Sequence, residues 1–236
     1  MLVLAIDTAL AACSAAVLDT EAATLLASES LAMTRGHAEA LMPLVERVMI
    51  AAGIGFDALD RIAVTTGPGS FTGLRVGISA ARGVALAAGK PAVGLTTLSA
   101  YAAPVVAEAG AHPILSAIDA RHDQVYFQVV SADGSRLQRP SVAPVADALR
   151  AAEYGALRLV GNAAQIVAGR WPADAPPPVQ IDAQPAPDIA WVAWLGAAAD
   201  PNKSPARPLY LRPPDAKPQS AGLALQHAAP EASAKS

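Results

Sequence analysis

Apolar residues come in short continuous runs at the start of the chain and at helical spacing soon after. Leu2 to Ile6 is an unbroken apolar run and predicts a buried strand. Cys13 to Leu18 and Thr24 to Ser30 follow at hairpin distance, with Asp19-Thr20-Glu21 as the turn. From His37 to Ala52 the period changes. Leu41, Leu44, Val45, Val48 and Ala52 share one helical face, Gly53 closes the helix, and Pro43 should delay or kink it. Arg61 to Thr65 predicts a strand, Gly67-Pro68-Gly69-Ser70 a tight turn, Thr72 to Ala88 a helix, Ala92 to Leu95 a strand, and Thr97 to Ala109 a third helix.

A fresh strand pair begins at Ile114–Ile118 and Gln124–Val130, and Asp133-Gly134 turns the chain. The second half is thinner. It offers a strand at Leu157–Val160, a short helix to Ala168, an irregular proline-rich loop from Trp171 to Pro187, and a helix through Trp191, Trp194 and Leu195 capped by Asp188. Three strands and a helix, then strands again, predict two related α/β lobes with the second reduced. We place the first lobe at residues 1–98, the second at 99–215, and a flexible tail at 216–236.

Composition narrows the classes. Hydrophobic residues are 53% of the 236-residue chain and charged residues 16%, which excludes an intrinsically disordered protein. Alanine makes up about a quarter of the chain, about three times its usual share. One cysteine, Cys13, excludes a disulfide framework and a cysteine-based zinc cluster. A net charge of -3 argues against a free-standing nucleic-acid binder. The N-terminus lacks a basic region and carries Asp7, so we expect no secretory signal. The longest uncharged stretch, Pro91 to Ala107, is too short and polar to span a bilayer. The expected location is the cytoplasm, away from membranes.

Candidate chemistry centres on Gly67 to Ser79. A strand feeding a glycine turn and a helix can bind an anion, but the spacing fits neither a P-loop nor a dinucleotide fingerprint. On the helix, Gly73, Gly77 and Ala80 or Ala81 leave one face nearly bare. Glycine in a helix interior costs about 1 kcal/mol relative to alanine, so a second backbone should approach there, either the chain's own sheet or a partner helix. Asp7-Thr8 and Asp119 end the first strands of the two lobes. Two such acids facing one cleft would suit Mg²⁺-phosphate handling, although the loop after Asp7 lacks the glycine that lets backbone meet phosphate. His37 has Leu41 rather than histidine at i+4, so a helical metal pair is missing. Ser70, Ser79 and Ser99 have no nucleophile-elbow setting, which leaves a protease reading unsupported.

These motifs resemble the TsaB (YeaZ-like) family of bacterial proteins needed for threonylcarbamoyladenosine in tRNA. The resemblance rests on Ala5-Ile-Asp-Thr8, Gly36-His37-Ala-Glu-Ala-Leu41, Thr66 to Ser79, Ile118-Asp-Ala-Arg121 and Pro208-Leu-Tyr-Leu-Arg212. It implies a two-lobed actin/Hsp70/sugar-kinase-like (ribonuclease H-like) fold with a reduced second lobe. It also implies a non-catalytic scaffold for TsaD, the enzyme that attaches threonylcarbamoyl to the adenosine beside the anticodon. Partner contact would fall on His37, Leu41, Leu44, Val48, Gly73, Val76, Gly77 and Ala80. TsaE would join the complex, a homodimer would form in the partner's absence, and tRNA would be met only through the complex. No cofactor is expected to bind tightly, and weak ATP or ADP at a shared interface would touch Asp7, Thr8, Gly67, Gly69 and Asp119. The alternative is a small-molecule kinase or ATPase that uses Asp7, Asp119 and the Gly67-Pro68-Gly69 turn.

Overall fold

The run Leu2–Asp7 forms β1 in a computed structural model that describes residues 1–212. Its side chains alternate between two cores. Leu4 and Ile6 join one cluster, and Val3 and Ala5 join another on the opposite face. Burial on both faces is why this strand reads as a continuous apolar run rather than an alternating one. β2 (Ala12–Asp19) and β3 (Thr24–Ala32) follow as an antiparallel meander. α1 (His37–Ala52) starts well ahead of Pro43, so the proline does not delay it. β4 (Arg61–Gly67), α2 (Phe71–Ala88) and β5 (Ala92–Thr96) then add two parallel strands, giving the sheet order β3-β2-β1-β4-β5.

α3 (Thr97–Ala107) leads to the second sheet. β6 (Ile114–Asp119), β7 (Gln124–Val130) and β8 (Arg136–Pro144) form the meander. β9 (Arg158–Val160) and β10 (Gln180–Asp182) add the parallel strands. The order β10-β9-β6-β7-β8 is the first sheet's order repeated, with the first strand of each meander at the centre. The reduction lies in the crossovers. α2 has 18 residues, whereas α5 (Ala164–Ala168) has 5 and its flanking strands 3 each. α4 (Val145–Ala148) and a 3₁₀ turn, Leu149–Tyr154, pack beneath the second sheet.

α6 (Ile189–Ala198) returns to the first lobe. Its Asp188 cap accepts from the Ala190 N–H, 2.9 Å away. Ile189, Val192 and Ala193 bury against Val3, Ala5 and Ala63, while α1 and α2 cover the other face of that sheet. One expectation needs correction: the loop Trp171–Pro187 contains β10, which pairs with β9. The segment after Asp133-Gly134, where the sequence predicts no element, is strand β8, and α3 ends at Ala107, close to the expected end near Ala109. The expected tail at 216–236 lies outside the described residues.

Candidate functional site

The glycine turn fits the tip of α2 against the loop after β1. Gly67 has φ +113, a value that favours glycine. Gly69 meets a different demand, because a Cβ there would overlap the Ala9 carbonyl, which also accepts from the Ser70 N–H at 2.8 Å. Ser70 caps α2, its hydroxyl oxygen accepting from the Gly73 N–H at 3.3 Å. A Cβ on Gly73 would strike the Thr8 carbonyl oxygen, and one on Gly77 would strike the Thr8 hydroxyl. The Thr8 hydroxyl donates to the Gly73 carbonyl at 2.7 Å. The bare helix face is therefore filled from within the chain, by Thr8. This corrects the assignment of Gly73 and Gly77 to a partner helix.

Most of the expected contact residues on α1 are likewise internal. Leu41, Leu44 and Val48 sit in the first core. His37 is buried, its Nε2 lying 3.2 Å from the Leu10 carbonyl oxygen, a hydrogen bond when that nitrogen carries the proton. Side chains packed into their own lobe offer no area to a second protein, so they leave the contact list. Val76 and Ala80 stay half-buried on α2. Sequence reasoning missed the residues that point outward. Ile50 on α1 is 72% exposed and Leu86 on α2 is 85% exposed. Met42 is exposed too, and a Cβ at Gly83 would meet open space. The signal was available as apolar residues off the core stripe, at positions the stripe itself distracts from.

The two acids are not brought to one surface. Asp7 is fully buried. Its Oδ1 accepts from the Thr65 hydroxyl and from the Ala9 N–H at 3.1 Å, while Oδ2 has no partner among the described residues. Burial pushes its carboxyl above the usual carboxylate range, against these hydrogen bonds and the nearby His37. Asp119 is exposed, and its Oδ1 accepts from the Arg121 N–H at 2.7 Å. Of the five residues expected to touch nucleotide, Gly69 and Asp119 line an interlobe cleft of about 520 Å³. Asp7, Thr8 and Gly67 lie beneath its surface.

Leu10 is part of that cleft's wall. It packs against the first-lobe core and also against the cluster that α3 (Leu98, Tyr101, Val105) forms with Ile114, Ile118 and Val160 of the second sheet. The loop that would need to approach a phosphate thus carries an apolar wedge shared by both lobes. Opposite it, Arg121, His122 and Asp123 all have positive φ, between 52° and 61°. Conformations of this kind cost of order 1–3 kcal/mol each. The turn is held by Arg212, whose guanidinium donates to the Ala120 carbonyl at 3.2 Å and to Gln124, and by the Arg170–Asp123 ion pair. Beside the cleft, Arg75 stacks 3.9 Å over the Phe71 ring, which in turn meets Tyr210. Among the described residues, no three His, Cys, Asp or Glu side chains gather as a metal site, and no helix is long and apolar enough to cross a membrane.

Two meanders of the same strand order, a central cleft and a glycine-turn helix define a two-lobed α/β protein of actin-like architecture. The family model for TsaD, tRNA N6-adenosine threonylcarbamoyltransferase, matches residues 25–174, and the chain belongs to this family. It is similar to the tRNA threonylcarbamoyladenosine biosynthesis protein TsaB of Escherichia coli (strain K12), with 39% identity over 127 residues, 54% of each chain. That match spans about half the length of the relative. An uncharacterized protein of Mycobacterium tuberculosis (strain ATCC 25618 / H37Rv) is 34% identical over 217 residues, covering 92% of this chain and 94% of that one. Among solved structures, a Pseudomonas aeruginosa protein described as similar to peptidase YEAZ superposes with a TM-score of 0.74 at 29% identity, covering 89% of this chain and 99% of that one. The resemblance to TsaB read from the motifs is thus carried by sequence and by structure.

Proposed function

We infer that this chain is a non-catalytic partner of a TsaD-like transferase in making threonylcarbamoyladenosine in tRNA. The observation that carries the reading is the outward face of α1 and α2. Ile50 and Leu86 project from it, Val76 and Ala80 lie half-buried on α2, and Gly83 leaves a place where another helix can come close. Single exposed apolar residues are ordinary, but a contiguous apolar patch marks an interaction surface, and we take these residues as parts of one such patch. A standard interface of about 1,600 Å² in total would cover them. The same face would hold a second copy of the chain when the transferase is absent, the two competing by mass action. TsaE would join the heterodimer, and all three would work in the cytoplasm.

The non-catalytic part of the reading rests on α1. Leu41 stands where a second metal-binding histidine would be needed, and it is buried, as is His37. The kinase alternative is disfavoured by Leu10 filling the place of a phosphate-approaching loop and by Asp7 lying inside the core. Any ATP or ADP bound by the complex would sit weakly, at the surface shared with the transferase. Cationic surface for tRNA would come mainly from the partner.

The test is reconstitution of tRNA threonylcarbamoylation from TsaC, TsaD and TsaE with and without this chain. Activity that requires the chain and survives Asp119→Ala supports the reading. Activity that requires the chain and is lost in Asp119→Ala places chemistry in this cleft instead, and equal activity without the chain refutes the assignment.

A further inference from the structure

The outward rows of α1 and α2 carry the same spacing and opposite charge. On α1, Glu39, Pro43, Glu46 and Ile50 fall at i, i+4, i+7 and i+11, and all four are exposed. On α2, Arg75, Ser79, Arg82 and Leu86 fall at the same intervals and are exposed as well. Residues so spaced line one stripe along a helix. Each stripe reads, from its N-terminal end, a charge, a compact residue, a charge and a large apolar residue. The first stripe has acids where the second has bases.

The fold presents the two stripes together. α1 joins β3 to β4 and α2 joins β4 to β5, and these strands all run the same way. The two helices therefore run side by side in one direction, over one face of the first sheet. Neighbouring charges do not blur the pattern. Arg47, the cation beside the α1 stripe, is held by Glu29 of β3, with Nη2 2.6 Å from Oε1. Among the described residues, Glu39, Glu46, Arg75 and Arg82 have no ion-pair partner. Arg75 lies over the Phe71 ring and its Nε donates to the Tyr210 hydroxyl at 3.3 Å. Both contacts are neutral, so they steady the guanidinium without cancelling its charge.

A layer of two parallel helices can meet its own copy about a two-fold axis in two ways. An axis across the helices sets α1 on α1 and α2 on α2, antiparallel, with acids facing acids and bases facing bases. An axis along the helices sets α1 of each copy on α2 of the other, in parallel. Glu39 then lies beside Arg75, Glu46 beside Arg82 and Ile50 against Leu86, twice over. Like charges brought together oppose docking, and complementary ones fix its register and choose the partner.

We propose that the α1–α2 face is a self-complementary pairing surface on which a second copy of this chain docks α1 to α2 in parallel, with Glu39–Arg75 and Glu46–Arg82 pairs setting the register around an Ile50–Leu86 contact. This rests on the reading of α1 and α2 as the docking face, and adds which helix meets which and the residues that select the partner.

The test is sedimentation velocity and native mass spectrometry on the full chain alone, so its failure is distinct from failure of the reconstitution with the transferase. Glu39→Arg with Glu46→Arg makes both stripes basic, and Arg75→Glu with Arg82→Glu makes both acidic. The parent should dimerise, less tightly as salt is raised. Each double variant should self-associate about tenfold more weakly or worse, and an equimolar mixture of the two should recover a dimer holding one copy of each. The chain with all four exchanged should dimerise as the parent does and fail to mix with it. Melting curves confirm that the variants fold. The single changes Glu46→Arg and Arg82→Glu, at side chains in the middle of their helices, repeat the comparison with less disturbance. A parent that stays monomeric at every soluble concentration overturns the proposal, as do double variants that dimerise as tightly as the parent. Free mixing of the fourfold variant with the parent would set α1 on α1 and overturn it as well.

Discussion

The Thr8 hydroxyl donates to the Gly73 carbonyl oxygen across 2.7 Å, binding the end of β1 to the first turn of α2. This contact, with Gly77 packed on the same threonine, explains why two glycines are kept inside one helix despite their cost in propensity. Replacing either by alanine should destabilise the chain by about 1–3 kcal/mol, because a Cβ would collide with Thr8. Gly83→Ala, in the same helix and facing open space, should stabilise it by about 0.5–1 kcal/mol. Urea unfolding of the three variants checks the contrast; equal losses at all three would refute the close-approach argument.

Partner binding should follow the outward residues and not the buried ones. Gly83→Arg and Leu86→Asp should weaken docking of the TsaD-like transferase tenfold or more, about 1.4 kcal/mol, with the melting curve unchanged. Leu41→Ala should instead cost about 2–5 kcal/mol of folding stability, with docking by the folded fraction retained. Calorimetric titration beside thermal melts separates the two effects.

Asp7 sets a pH dependence with a definite sign. Burial raises its carboxyl above the unfolded value. Its contribution to stability is therefore fully present below the unfolded pKa and is lost as pH rises through the folded one. Asp7→Asn, which cannot ionise, should melt a few degrees higher than the parent near neutral pH. The advantage should shrink as the medium is acidified toward the ordinary aspartate range. An advantage that grew on acidification would mean that the ionised form is the one stabilised.

Leu10 joins two cores, so its truncation should be felt in both. Leu10→Ala should destabilise the chain by roughly 1–2 kcal/mol, below the fully buried range because the side chain is half-covered. Hydrogen exchange should rise together at Ile6 and Ile118, one in each sheet. Protection lost in one lobe alone would contradict the shared packing.

Much of this was legible in the sequence, and the exceptions share a cause. β1, the β2–β3 hairpin, α1 and the β4–turn–α2 unit announce themselves through apolar runs, periodicity and glycine punctuation, all of which are local. β8, Arg-Leu-Gln-Arg-Pro-Ser-Val-Ala-Pro, has no alternation and two prolines, and it is a strand because β7 pairs with it. β10 is three residues of a proline-rich loop drawn into line by β9. At the site, helical spacing showed that Gly73 and Gly77 form a bare face but not whose backbone fills it. The answer is Thr8, about 65 residues earlier in the chain. The exposed pair Ile50 and Leu86 stood outside the core stripe, where periodicity marks what is buried and is silent about what an outward apolar residue meets.

The leucine between the lobes has a mechanical consequence. A two-lobed protein with a bare glycine loop at its centre can open and shut like a jaw. Here the two halves could part only by bringing Leu10, and the apolar surface it covers in each, into water. The molecule is in that respect a strut rather than a hinge: under the function proposed above, it would offer a partner a fixed shape at little cost in lost motion.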